Sequence, residues 1–130
     1  MSRLSTRLIT IFEVILYEDE KGHNPVLEFL TELANTNGKD SRVRLKKVQD
    51  YINILQTYGN TVGAPVMKHL DGEIWELRPL RDRILFAGVV GGKFVLLHQF
   101  LKKTQKTPKR EIEQAKKELE DYLERSDSDE

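Results

Sequence analysis

Residues 74–101 read "IWELRPLRDRILFAGVVGGKFVLLHQFL", and this stretch decides the fold. Within "EIWELRPL" the residues alternate, so a strand here carries Trp75 and Leu77 on one face and Ile74, Glu76 and Arg78 on the other. Pro79 ends that strand or sets it at a sheet edge. "RDRILFAGVV" and "KFVLLHQFL" predict two more strands. The Gly91-Gly92 pair between them is the composition of a two-residue hairpin loop. Three strands in succession make an antiparallel meander.

Working outward, "LITIFEVILYE" is rich in Ile, Val, Phe and Tyr and predicts a first strand over roughly residues 8–18. Asn24 suits a helix cap before Pro25, where a missing N–H costs nothing. Val26, Leu27, Leu30, Leu33 and Ala34 then recur at helical spacing. After "NTNGKDS", Asp40 or Ser41 suits the cap of a second helix. Its stripe is Leu45, Val48, Ile52 and Leu55, and Gly59 is a natural stop. "GNTVGAPVMKHLDG" reads as a connector. Thr107 and Pro108 open a last helix with Ile112, Ala115, Leu119, Tyr122 and Leu123 as its apolar stripe. The expected fold is α+β, in the order strand-helix-helix-strand-strand-strand-helix: a compact domain with a mostly antiparallel sheet and helices packed on one face. A single domain over residues 1–130 is expected, with the acidic end fraying from about residue 126.

Composition narrows the chemistry. There is no cysteine, which excludes disulfides, thiolate metal sites and cysteine nucleophiles. No apolar run has the length of a membrane span. The first residues, "MSRLSTRLITIFEVILYEDE", have the outline of a signal peptide. Glu13 interrupts the apolar run and no small-residue cleavage site follows, so a cytoplasmic location without membrane contact is expected. His23, His69 and His98 show no ligand spacing, and the glycines form no phosphate loop of the usual spacing. Neither a metal nor another cofactor is expected.

The net charge of zero hides an asymmetry. Residues 68–110 carry ten basic and four acidic side chains, whereas residues 111–130 carry nine acidic and three basic ones. The plain reading is a solvated surface with an acidic, soluble end. The alternative is a basic face for an anionic partner. Its members are Arg78 at one strand end, Arg83 at the start of the next, and Lys102 and Lys103 past the last. Lys68, Arg81, Lys106, Lys109 and Arg110 flank them as candidate phosphate contacts. Arg78 could equally form a salt bridge with Glu76 or Asp82.

Arginine forks suit phosphate oxygens, and a nucleic-acid backbone is the simplest polyanion. RNA adds a 2′-hydroxyl that can attack the adjacent phosphorus. A metal-free site for that reaction needs a base, charge stabilisers and an acid. Arg78, Arg83, Lys102 and Lys103 could stabilise charge. His98, on the face of Phe94, Leu96 and Phe100, could move protons, although histidines on such faces are more often structural.

"WELR", the strand opening "R-I-L", "LLHQFLKKTQKTP" and "EIEQAKKELEDYL", in that order, resemble HigB-type toxins of the RelE/ParE superfamily, in particular the phage-derived HigB-like branch. The resemblance extends back through "NPVLEFLTEL" and covers roughly residues 15–125. It implies a RelE-like fold and a ribosome-dependent endoribonuclease that cuts mRNA. It also implies a HigA-type helix-turn-helix antitoxin as partner, with operator DNA reached only through that antitoxin. Arg78, Arg83, His98 and Lys102-Lys103 stand where family residues bind phosphate or transfer protons. A ParE-like inhibitor of DNA gyrase, or a non-toxic module binding antitoxin or nucleic acid, is the alternative. Some RelE-like enzymes use a C-terminal tyrosine. Here "TQKTPKRE" begins a helix instead and Tyr122 lies on an apolar stripe, which leaves His98 and the lysines as candidate bases.

Overall fold

The meander forms as expected, and a fourth strand extends it. The computed structural model describes residues 11–128. Its elements are β1 (Glu13–Leu16), α1 (Pro25–Asn35), α2 (Lys39–Tyr58), β2 (Met67–Asp71), β3 (Ile74–Leu77), β4 (Asp82–Val89), β5 (Lys93–Leu101) and α3 (Lys109–Ser128). The start of the expected first strand, at residues 8–10, lies outside the described residues. So does the end of the acidic tail, while α3 continues to Ser128.

The fold class is α+β. The strands lie in the order β1-β5-β4-β3-β2, all neighbours antiparallel except β1 and β5. β2 falls in the stretch read as a connector. Only Met67 among its residues is fully buried, so an edge strand with exposed Lys68 and His69 carries no apolar alternation to announce it.

The runs "ILFA" and "FVLL" are apolar at every position, so both faces of β4 and β5 need cover. Ile84, Phe86, Phe94 and Leu96 form one core with Val26 of α1 and with Val48 and Leu55 of α2. Leu85, Ala87, Val95 and Leu97 form a second core with Ala115 and Leu119 of α3. The expectation of helices on one face therefore holds for α1 and α2, and α3 covers the opposite face.

Local signals behave individually. The Asn24 side chain caps α1 by accepting from the Leu27 N–H at 3.1 Å. α2 instead begins after Gly38 with no side-chain cap, and Asp40 and Ser41 sit inside its first turn. Thr107 turns its hydroxyl toward Glu76. The β4–β5 loop has three residues, Val90 to Gly92, because Val89 pairs with Lys93.

Gly59 ends α2 at φ 68°, ψ −152°, a region open in practice only to glycine. A β-carbon there would also lie 2.9 Å from the Phe12 ring. Gly59→Ala is expected to lower stability by about 2 kcal/mol, from strain of about 1–3 kcal/mol plus the displaced ring. A urea melt of the variant checks it, and a loss near zero would mean that the turn rearranges freely.

One irregularity positions the site. Leu85 pairs with His98, but Phe86 pairs with Leu96, so Leu97 is an extra residue in β5. A bulge of this kind puts two successive side chains on one face. Leu97 joins the α3-side core and His98 reaches α3 as well. Gln99 then faces α2 through Asp82.

Candidate functional site

A cavity of about 610 Å³ opens at the end of the sheet where β3 and β5 finish and β4 begins. Its cationic side is built from four places. Arg78 follows β3, Arg83 lies in β4, and Lys102, Lys103 and Lys106 belong to the segment between β5 and α3. Arg110, in the first turn of α3, completes it. The antiparallel register explains the convergence: Leu77 pairs with Ile84, and Arg83 pairs with Phe100, so three strand ends share one edge.

Glu76 organises this side. It is only 1% exposed, and its Oε1 accepts from Arg78 Nε at 2.9 Å, with Arg83 Nε 3.9 Å away. Its Oε2 accepts from the Thr107 hydroxyl at 2.6 Å. One buried carboxylate thus aligns the arginines and fastens the basic segment above them. It also meets the requirement that a buried charge be paired.

Arg83 Nη1 donates to the carbonyls of Leu80 (2.7 Å) and Asp82 (2.9 Å). Leu80 holds φ 56°, a left-handed conformation rare for leucine. That turn aims its carbonyl at the guanidinium. Burial lowers the pKa of Arg83, Glu76 offsets part of this, and the neighbouring Arg78 charge adds to the lowering. The negative charge of an arriving anion would offset both effects. Among the described residues Lys102, Lys103 and Lys106 make no ion pair, so their charges are available to a ligand.

The other expected contacts divide. Arg81 pairs with Asp40 at 2.7 Å, Lys68 lies exposed on β2, and neither these two nor Lys109 line the cavity.

His98 corrects the sequence reading. The bulge carries it off the face of Phe94 and Leu96, and it lies buried against α3, 4% exposed and off the cavity lining. Nδ1 contacts Glu118 Oε1 at 2.6 Å and Nε2 contacts Glu111 Oε1 at 2.9 Å. Burial disfavours its charge, but the hydrogen bonds and charges of Glu118 and Glu111 prevail and raise its pKa. Both ring nitrogens are thus turned to carboxylates of α3 and away from the cavity. These contacts tie β5 to α3.

The sign of its pH dependence follows. A pKa raised by folding contributes stability in full below the unfolded value, ~6.5. That contribution fades as pH rises through the folded value. The stability difference between the wild type and His98→Gln is therefore expected to be larger at pH 6 than at pH 9. Urea melts at both pH values check it, and a difference that grows with pH would refute a charged latch.

Glu76 and Thr107 escaped the sequence reading as site residues. The available signal was a carboxylate alternating with Ile74 on a strand that must be covered. Among the described residues no group of three or more histidine or acidic side chains is placed to hold a metal ion, and no helix is long and apolar enough to cross a membrane.

The pattern of the family described as "Phage derived protein Gp49-like (DUF891)" matches residues 37–120. No curated protein matches the chain. The matched region runs from the start of α2 through β5 into α3 and contains every cationic residue of the cavity. Since it spans well over half of the sequence, the chain belongs to the phage-derived Gp49-like protein family.

Proposed function

We propose that this protein is the toxin of a toxin–antitoxin pair and a metal-independent endoribonuclease acting on ribosome-bound mRNA. The Gp49-like family is associated with the toxins of toxin–antitoxin pairs. The observation that carries the chemistry is the cavity lined by Arg78 and Arg83, aligned by Glu76, and by Lys102, Lys103 and Lys106, which make no ion pair among the described residues.

In this reading the scissile phosphate sits against the arginines. The 2′-hydroxyl gives its proton to solvent water as its oxygen attacks phosphorus, and the P–O5′ bond breaks. Guanidinium groups held in place before the reaction stabilise the charge that develops on the phosphorane oxygens. A lysine ammonium of the segment above donates the proton that the departing 5′-oxygen needs. The products are a 2′,3′-cyclic phosphate and a 5′-hydroxyl end. The resemblance to HigB-type toxins supports the ribosome as the place of cutting and a HigA-type helix-turn-helix protein as the neutralising partner. Operator DNA is then met only through that partner.

The test is purified protein added to a translating extract in which the cut RNA ends are mapped. Cleavage leaving cyclic phosphate ends, abolished by prior mixing with the antitoxin, is expected. Intact mRNA together with blocked gyrase supercoiling would replace this reading with a non-nucleolytic inhibitor.

A further inference from the structure

The cavity is larger than one phosphate requires, and its two sides differ in chemistry. Its lining also includes Phe29 and Glu32 of α1 and Arg44 of α2. Arg44 is not a free cation. Its Nε and Nη2 donate to the two Asp82 oxygens at 3.0 and 2.7 Å, and its guanidinium lies 5.7 Å from the Phe29 ring centroid. Two hydrogen bonds and the Phe29 ring thus fix the guanidinium in place, and its side chain keeps 15% exposure in the cavity lining. RNA-binding proteins stack unpaired bases on such guanidinium planes.

Glu32 lies one helical turn beyond Phe29, exposed, on the same cavity wall. Among the described residues its carboxylate makes no hydrogen bond or ion pair, although it is near enough to contribute to the raised pKa of Arg44. A carboxylate in a phosphate-binding cavity repels the ligand unless that ligand also brings N–H donors. Of the four RNA bases, guanine alone offers two adjacent donors, N1–H and N2–H, on its pairing edge. These match the two oxygens of one carboxylate.

We propose that this wall is a nucleobase subsite selective for guanine, stacked on Arg44 and read by Glu32. The proposal rests on the cavity being an RNA site and adds the base that it prefers.

The test titrates the full chain with GMP, AMP, CMP, UMP and inorganic phosphate, followed by NMR. GMP is expected to bind about tenfold or more tighter than the other three, in the range of a good bidentate base contact. Glu32→Gln, at an exposed position, should keep the fold and bring the four nucleotides within about threefold of one another. It should leave the affinity for inorganic phosphate undiminished, since the variant removes only a negative charge. Equal binding of the four nucleotides, no nucleotide binding, or a guanine preference that survives Glu32→Gln would each overturn the subsite. The two readings fail separately. Guanine preference without RNA cleavage refutes the nuclease and keeps the subsite. RNA cleavage with no guanine bias, in cut sites or in nucleotide binding, refutes only the subsite.

Discussion

Arg78→Ala is expected to lower RNA cleavage by about two to three orders of magnitude, the usual loss when one preorganised charge stabiliser is removed. Its side chain is 25% exposed, lines the cavity and is held through Nε by Glu76 at 2.9 Å. The rest of the fork is left to a ligand. The buried carboxylate keeps Thr107 at 2.6 Å and Arg83 at 3.9 Å when Arg78 is gone, and a thermal melt of the variant reports how far the fold tolerates the loss.

Arg78→Lys sharpens the test. It restores a cation beside Glu76 but not the planar, two-pronged donor, so activity should recover only in part. Full recovery would show that Arg78 supplies charge and no geometry. Lys102→Ala, at an exposed position, should weaken RNA binding more modestly and flatten its salt dependence, as loss of one phosphate contact does.

How far the sequence could reach follows from what each signal encodes. The meander was legible because β4 and β5 are apolar at nearly every position and a glycine pair separates them. That same unbroken apolarity was the sign that a helix layer must cover each face, and reading it as a one-faced sheet misplaced α3. Arg78, Arg83, Lys102 and Lys103 were legible as a group because neighbouring antiparallel strands must bring their ends together. His98 was misplaced for a specific reason. Strand parity propagates along β5 only until Leu97 intrudes, and a bulge leaves no compositional mark in "VLLHQF". Glu76 was seen only as a partner for Arg78, since strand alternation does not reveal that Thr107 returns from 31 residues away to share the same carboxylate.

Asp82→Ala is expected to cost about 3–5 kcal/mol, the range for removing one partner of a buried ion pair. The side chain of Asp82 is 0% exposed, and that of Arg44 is 15% exposed. Three hydrogen bonds end on the Asp82 carboxylate: two from Arg44 and one from Gln99 Nε2 at 2.8 Å. Alanine would leave the guanidinium with only the exposed Asp40, 4.0 Å away, as an ion-pair partner and the Gln99 amide without its acceptor. Against a total of about 5–15 kcal/mol, such a loss brings the protein close to unfolding at growth temperature. Replacing both members of the pair, Arg44→Met with Asp82→Leu, should recover most of the stability, because apolar residues carry no uncompensated charge. A denaturant series on the single and double variants decides this. A single-variant cost below about 1 kcal/mol would place the pair among surface salt bridges. The double variant has a second use. It restores the fold but removes the planar guanidinium from the cavity wall. Base stacking should weaken while the Glu76-aligned phosphate side is untouched, so the scaffold's contribution to stability and its contribution to binding are read from one protein.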